Sequence, residues 1–395
     1  MENELNELNE QLMSAVSRSN AKIAITITGG GTAAIGEILR YGGLSGTVFY
    51  AHVPYSPIFT EKYLGHFNMP DKLCSPEAAR MLAMKAFHDV NQECGEEDFP
   101  VGIGSTSALG KITKEREGRE HKMFVAIQNR QRTMTFTLFL TTPRSRVDEE
   151  KINEELILLA LAYGCNLPAN MNEFNQTFLD GCETAEVQID DGGTLEPVLS
   201  GDVAASFYVQ NKGIQCSPDP EHVKLMLPGS FNPIHDAHRE MARIASEMTG
   251  ELCHFEMSIV NADKPPLDYT EIYRRLDIFD TTAGELWLTR LPTFVEKAEY
   301  FAPVTFVVGA DTVSRICNPR FYGDSEDSMQ CALQKMFNLG TKFICFARKM
   351  GWTEMVTQKA LSSDPPAIFK KMATAVDPNV FASELSSREI RRNGG

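Results

Sequence analysis

Basic residues are in short supply in this 395-residue chain: 38 Lys and Arg face 53 Asp and Glu, for a formal net charge of -15. A surface that follows a nucleic-acid backbone must neutralise phosphates with Lys and Arg, so nucleic acid is excluded as the main partner. No apolar run reaches eighteen residues, which excludes a membrane-spanning helix. The nine cysteines contain no Cys-x-x-Cys pair and are odd in number. That excludes a disulfide framework or a zinc site and indicates reduced thiols in the cytoplasm. The opening residues 1–22 lack the basic start of a secretory leader and the Arg-rich, acid-poor makeup of a transit peptide. Leu5, Leu8 and Leu12 recur at helical spacing there and predict a short helical extension, residues 1–20, covering a domain surface.

What is present suggests two globular units. A chain of this length with 43% hydrophobic residues can bury two cores. From about Glu221 short apolar runs alternate with amphipathic, helix-length segments. The runs Val223 to Leu227, Cys253 to Val260, Glu285 to Leu288, Val304 to Val308 and Lys342 to Phe346 read as strands, with helices near Arg239, Tyr269, Phe294 and Met329. Such alternation predicts a parallel sheet covered on both faces, with ligands bound beyond the carboxyl ends of its strands. In the N-terminal half, Ile23 to Ile27 reads as a buried strand, and Thr28-Gly29-Gly30-Gly31-Thr32 as a tight loop running into a helix that ends near Leu39. Such a loop can bind an anion or simply turn the chain. Residues 166–220 are rich in turn clusters and read as a connector, with Thr184 to Ile189 and Ala205 to Val209 as short edge strands.

The most chemical stretch is Gly229-Ser230-Phe231-Asn232-Pro-Ile-His235-Asp-Ala-His238, placed between a predicted strand and a predicted helix. The first turn of a helix offers unpaired amide N–H groups and the positive end of its dipole, which suits an anion. Two imidazoles three residues apart at that point can donate hydrogen bonds to one phosphate. A lone His-x-x-His is more often packing than chemistry, so the other segments decide.

This stretch resembles the HxGH-type nucleotidylyltransferases, and within them the nicotinamide or nicotinate mononucleotide adenylyltransferases, whose pattern reads GSFNPxHxGH. Ala237 stands where that family usually has Gly. Three further segments follow in the family's order. Asn261-Ala-Asp-Lys264 resembles its second-strand exit with a basic residue, Gly309-Ala-Asp311 its nucleotide-binding loop, and Leu385-Ser386-Ser387-Arg388-Glu-Ile-Arg391 its ISSTxIR element, with Arg388 replacing Thr. The resemblance implies a Rossmann-like nucleotidylyltransferase domain over 221–395 that joins ATP, accompanied by Mg²⁺, to a mononucleotide and releases pyrophosphate. His235 and His238 would be catalytic. Gly229, Ser230, Phe231, Asn232, Lys264, Gly309, Asp311, Ser386, Ser387, Arg388 and Arg391 would bind ATP and substrate. No protein side chain is expected to ligate a metal. Another phosphorylated acceptor, such as pantetheine phosphate or a polyol phosphate, or a nucleotide-binding pseudoenzyme, are the alternatives.

The N-terminal half, residues 21–165, resembles the C-terminal domain of the competence-damage protein CinA, the nicotinamide-nucleotide amidase family. The resemblance rests on the loop Thr28 to Ala34, on Gly43-Leu-Ser45-Gly-Thr-Val-Phe-Tyr50, on Val53-Pro-Tyr55-Ser56 and on Val101-Gly-Ile-Gly104-Ser-Thr-Ser. That family's loop reads ESCTGG and carries a serine nucleophile; here the nearest hydroxyls are Thr26, Thr28 and Thr32. The extra methyl of threonine restricts its rotamers, so the expectation is a degenerate amidase. The whole chain is thus expected to be α/β in two domains, cytoplasmic, with small phosphorylated substrates and homo-oligomerisation left open.

Overall fold

The structure is a computed structural model that describes residues 2–65, 70, 72–110, 118–209, 212–216, 219–260, 265–279, 286–346, 365–377 and 381. Contacts divide the chain into two units, Met1–Glu196 with Asp263–Glu271, and Pro197–Ala262 with Ile272–Gly395. Both are α/β.

The first unit is built on a six-stranded sheet of β1 (Ala21–Thr28), β2 (Val48–His52), β3 (Phe99–Ala108), β4 (His121–Asn129), β5 (Arg132–Leu140) and β6 (Glu186–Asp191), in the order β2-β1-β3-β4-β5-β6. β1 runs parallel to both neighbours, and β3 to β6 form an antiparallel meander. Side chains alternate between the two faces, as the period of two demands. Ile23, Ile25, Ile27, Val101, Ile103, Val125 and Ile127 bury on the face shared with the helix Arg146–Gly164. Met13 and Val16 of the helix Glu2–Arg18 enter the same core. On the other face, Ala24, Phe124 and Ala126 cluster with Ala79, Ala83, Ala86 and Val90 of the helix Pro76–Glu93. That helix sits directly on the β3 backbone at Gly102 and Gly104, where a Cβ would lie 2.1 Å from the Ala83 carbonyl oxygen and 2.2 Å from that of Ala79.

The stretch 166–220 is shared between the units. The helix Met171–Phe178 and β6 go with the first sheet, while β7 (Ala205–Val209) and β8 (Gly213–Cys216) go with the second. Segment 265–271 counts with the first unit, where the Tyr269 amide donates to the Thr133 hydroxyl at 3.0 Å and Arg80 pairs with buried Asp268 at 3.4 Å.

The second unit has eight strands. β9 (Leu225–Pro228), β10 (Cys253–Ser258), β11 (Leu286–Thr289), β12 (Thr305–Gly309), β13 (Lys342–Phe346) and β14 (Ala373–Ala375) join β7 and β8 in the order β14-β13-β12-β9-β10-β11-β7-β8. β9 to β14 are parallel; β7 closes against β11 antiparallel and carries β8. Numbered from β9, the parallel strands read 6-5-4-1-2-3. This is the doubly wound order, whose direction of winding reverses between β9 and β12. Met226, Trp287, Phe306, Val308 and Phe343 bury beside Ala298, Leu333, Met336 and Phe369 on one face. Leu225, Leu227, Phe255, Met257 and Val307, alternating with them, are buried too. A parallel sheet must be covered on both sides, which is why its strands carry continuous apolar runs.

Glu183, inside the stretch expected as a connector, holds the first unit together locally. Its carboxylate accepts from the amides of Thr141 and Thr142 at 2.5 and 2.8 Å and from both terminal nitrogens of Arg144 at 2.9 and 2.5 Å. Burial alone would raise its pKa, but the Arg144 and amide hydrogen bonds outweigh that and hold the carboxyl at about 2, below the ordinary 4.5. A depressed carboxyl contributes stability above its unfolded pKa, so the contribution is complete above about pH 4.5 and lost as pH falls towards 2. We expect Glu183→Gln to destabilise the first unit by roughly 3 kcal/mol at neutral pH, as breaking a buried pair does. Its stability should also fall less steeply below pH 4.5 than the wild type in acid titrations of urea unfolding.

Candidate active site

β9 ends at Pro228, and the loop that follows turns over a buried ring. Phe231 is 2% exposed and adopts a left-handed backbone conformation, φ +42°, unusual for a residue with a side chain. Its ring packs edge-on against Phe255, Phe279 and His238, with centroids 5.5, 6.0 and 5.2 Å apart. Gly229 is required beneath it: a Cβ there would lie 2.6 Å from the Phe231 ring. The Gly229 amide donates to the Glu256 carbonyl at 2.8 Å, which ties the loop to β10.

His235 is the N-cap of the helix Asp236–Thr249, and His238 occupies its first turn. Their rings stack with centroids 3.8 Å apart and an interplanar angle of 29°. The His235 amide donates to His238 Nδ1 at 3.3 Å. That bond assigns the tautomer: Nδ1 accepts, so the ring proton sits on Nε2, which becomes the donor of this imidazole. Burial, then the neighbouring His235 and Arg239, push His238 down to about 3. His238 is therefore a neutral donor at physiological pH rather than a cation, and it acts by directing an N–H.

Positive charge comes from residues that the motif does not contain. Arg275 donates to the Ser230 carbonyl at 2.9 Å, and Arg274 to the Asn232 side chain, both from the helix Tyr269–Ile278. Two guanidinium groups thus brace the same loop that presents the histidines. On the other side of the switch point β12 ends at Gly309, the N-cap of the helix Ala310–Ile316, with Asp311 exposed in its first turn. Because β9 and β12 are parallel neighbours, both loops leave the same end of the sheet. Gly229, Ser230, Asn232, His235, His238, Gly309 and Asp311 are thereby brought to one edge, whereas the Phe231 side chain is part of the loop's support. Lys264, Ser386, Ser387, Arg388 and Arg391 lie outside the described residues. Among the described residues no group of three His, Cys, Asp or Glu could cage a metal ion.

Residues 226–393 match the family model described as cytidylyltransferase-like. The match supports nucleotidyl transfer as the chemistry of this cytidylyltransferase-like domain. No curated protein matches the chain. Three solved structures show a distant likeness. A competence-damaged protein (CinA) superfamily protein from Escherichia coli is 13% identical, with 40% of this chain and 85% of that one covered and a TM-score of 0.29. Competence/damage inducible protein CihA from Agrobacterium tumefaciens is 14% identical, with 40% and 93% covered and a TM-score of 0.32. Competence damage-inducible protein A (ComA) from Klebsiella pneumoniae is 12% identical, with 39% and 95% covered and a TM-score of 0.30.

The glycine loop of the first unit differs in kind from that of the cytidylyltransferase-like domain. The Gly31 amide donates to Glu150 Oε2 at 2.6 Å and the Gly30 amide to the Ser107 hydroxyl at 2.8 Å. Arg146 pairs with the Glu150 carboxylate. A Cβ at Gly29 would lie 2.6 Å from the Ser107 carbonyl oxygen, and one at Gly31 2.7 Å from the Asn153 amide nitrogen, so the loop is packed against β3 and the helix Arg146–Gly164. The anion that such a turn could hold is thus the protein's own carboxylate, and of the two roles expected for the loop, turning the chain is the one its packing serves. Thr28 is buried and Thr32 is exposed. Thr26 is fully buried, and its hydroxyl donates to Tyr63 at 2.8 Å. Tyr63, pushed up to about 12 chiefly by burial, is no base at neutral pH.

The histidine assignment has a thermodynamic signature. His238 binds protons in the unfolded chain from about pH 6.5 downward but in the folded chain only near pH 3, so its contribution is complete above 6.5 and lost as pH falls. Buried His254, lowered to about 4 by burial and then by His222, adds to the same slope. We expect His238→Gln to reduce the rise of Tm between pH 5 and 6.5 by about half, a window that lies above the Glu183 titration. Calorimetric Tm values across that range would check it.

Proposed function

We propose that the C-terminal domain adenylylates nicotinamide or nicotinate mononucleotide. The 5′-phosphate of the mononucleotide attacks the α-phosphorus of ATP, a new P–O–P bond forms, and pyrophosphate leaves. The observation that carries this reading is the stacked, helix-capping His235–His238 pair on the loop at the sheet's switch point. The chain supplies no nucleophile; phosphoryl-group chemistry of this kind depends on positioning and charge stabilisation. His238 Nε2–H and the His235 ring donate to phosphate oxygens at the helix start. Arg274 and Arg275 supply fixed positive charge beside the loop. Asp311 faces the nucleoside hydroxyls, and the triphosphate is ordered by Ser386, Ser387, Arg388 and Arg391, with Lys264 as a further phosphate contact. Mg²⁺ enters on the phosphates of ATP and neutralises part of their charge. The GSFNPIH wording, together with a first unit resembling an amidase of the same mononucleotides, favours a pyridine nucleotide over other phosphorylated acceptors.

For the first unit we infer a degenerate amidase. Thr26 is out of reach of substrate, and the amides that could stabilise an oxyanion at Gly30 and Gly31 are engaged by Ser107 and Glu150.

One incubation tests both readings: ATP and Mg²⁺ with each mononucleotide, followed by mass detection. The expected products are the dinucleotide and pyrophosphate, with the nicotinamide mononucleotide supplied alone recovered unchanged. His238→Ala should lower turnover by on the order of 10²–10³, the effect of removing one preorganised donor. Arg275→Ala should lower it by about tenfold or more while Arg275→Lys recovers part of the loss. Near-normal turnover in His238→Ala excludes the assignment.

A further inference from the structure

We propose that the C-terminal domain has a second ligand site, for a nucleoside monophosphate, at the amino ends of its parallel strands. A cleft of about 510 Å³ opens there, lined among others by Lys224, Met248, Glu251, Pro303, Thr305 and Lys342. The strand order β10-β9-β12-β13 arranges Glu251, Lys224, Thr305 and Lys342 in a row. Glu251 precedes β10, Lys224 precedes β9, and Thr305 and Lys342 begin β12 and β13. Hydrogen bonds fix this row: the Thr305 amide donates to the Lys224 carbonyl at 2.9 Å, and the Lys342 amide to the Val304 carbonyl at 3.1 Å. Neighbouring strands are about 4.8 Å apart, so the two lysines, separated by one strand, stand about 10 Å apart. A phosphate fits between side chains of that reach.

The charges on this row are unmatched. Lys224, Lys342 and Glu251 are all exposed, and among the described residues none of the three makes a side-chain hydrogen bond or an ion pair. On a chain of net charge -15, two lysines that line one cleft with no carboxylate drawn to either among the described residues make a local positive field that an anion would match. The single carboxylate at the end of the row rules against a bare polyanion filling the whole cleft. It suits the paired hydroxyls of a ribose, which a carboxylate accepts well. Met248, 48% exposed, and Pro303 offer an apolar rim for a base. Lys-Lys-Glu plus an apolar rim therefore matches phosphate, sugar and base in one small molecule.

This site is separate from the histidine pair. The helix Asp236–Thr249 has His235 at its first end and Met248 and Thr249 at its last, and its 14 residues span about 20 Å. A nucleotide in the cleft consequently touches nothing in the loop.

The test is a titration of the full chain with AMP, phosphate or adenosine, read by amide chemical shifts at Thr305, Lys342 and Thr374. AMP should saturate these shifts, phosphate should bind more weakly, and adenosine weakest. Lys224→Gln with Lys342→Gln should weaken AMP at these amides by about tenfold, and both lysines are exposed, so folding is not at stake. His238→Ala should leave the same shifts unchanged, which separates this site from the proposed adenylylation site whether or not that chemistry holds. Amides that stay still at millimolar AMP, or move equally in the double lysine variant, overturn the proposal. Phosphate binding as tightly as AMP overturns the nucleoside part of it.

Discussion

The loop that presents His235 and His238 depends on one packing contact, the Phe231 ring laid over the Gly229 backbone. An aromatic side chain in a left-handed conformation is held only when its surroundings over-determine it, and here Phe255, Phe279 and His238 do so. The ring fixes where the chain leaves β9, and that exit sets the position of the N-cap at His235. From the cap follows the acceptor role of His238 Nδ1, and from that the direction of its remaining proton. Apolar burial thus determines a hydrogen-bond geometry several residues away.

The two glycine-containing strand-to-helix turns of this protein show how little the turn itself decides. Both follow a buried strand and precede a helix. In the second unit the loop is braced from behind by a ring and two arginines, and its histidines stand at the edge of the sheet. In the first, the helix Arg146–Gly164 brings Glu150 and Asn153 against the glycines and Glu150 takes up the Gly31 amide. A carboxylate supplied by the fold competes with any anion from outside, and at 2.6 Å, already placed, it has no association entropy to overcome. The difference lies in the element that packs over the turn.

Much of this was legible in the chain. Strands buried on both faces announce themselves as unbroken apolar runs, so β10, β12 and β13 were readable to within two residues, and β13 without error. β9 begins two residues after the run at Val223 suggests, because the Val223 amide closes a turn back to Pro220. The histidine motif carried its own structural context and landed at the expected junction. Arg274 and Arg275 did not, since two arginines on an amphipathic helix look like a solvated face until tertiary packing shows what they touch. Glu150 was hidden for the same reason, among the acidic residues of a helix start. The stretch from 166 to 220 looked like a connector because its strands are short and its turns frequent. Yet β6 extends one sheet and β7 and β8 the other, pairing that only long-range register reveals. The charge state of His238 was also unreadable, because burial, which the sequence does not display, is the largest cause that lowers it, ahead of His235 and Arg239.

That neutrality has a bearing on energetics. A polyanion arriving beside an uncharged imidazole raises the ring's affinity for hydrogen ions, so occupancy of the loop and uptake from the solvent are coupled equilibria. Heat released on loading the cytidylyltransferase-like domain would then vary with the ionisation enthalpy of the buffer, and affinity would strengthen on mild acidification even though the empty ring scarcely titrates there.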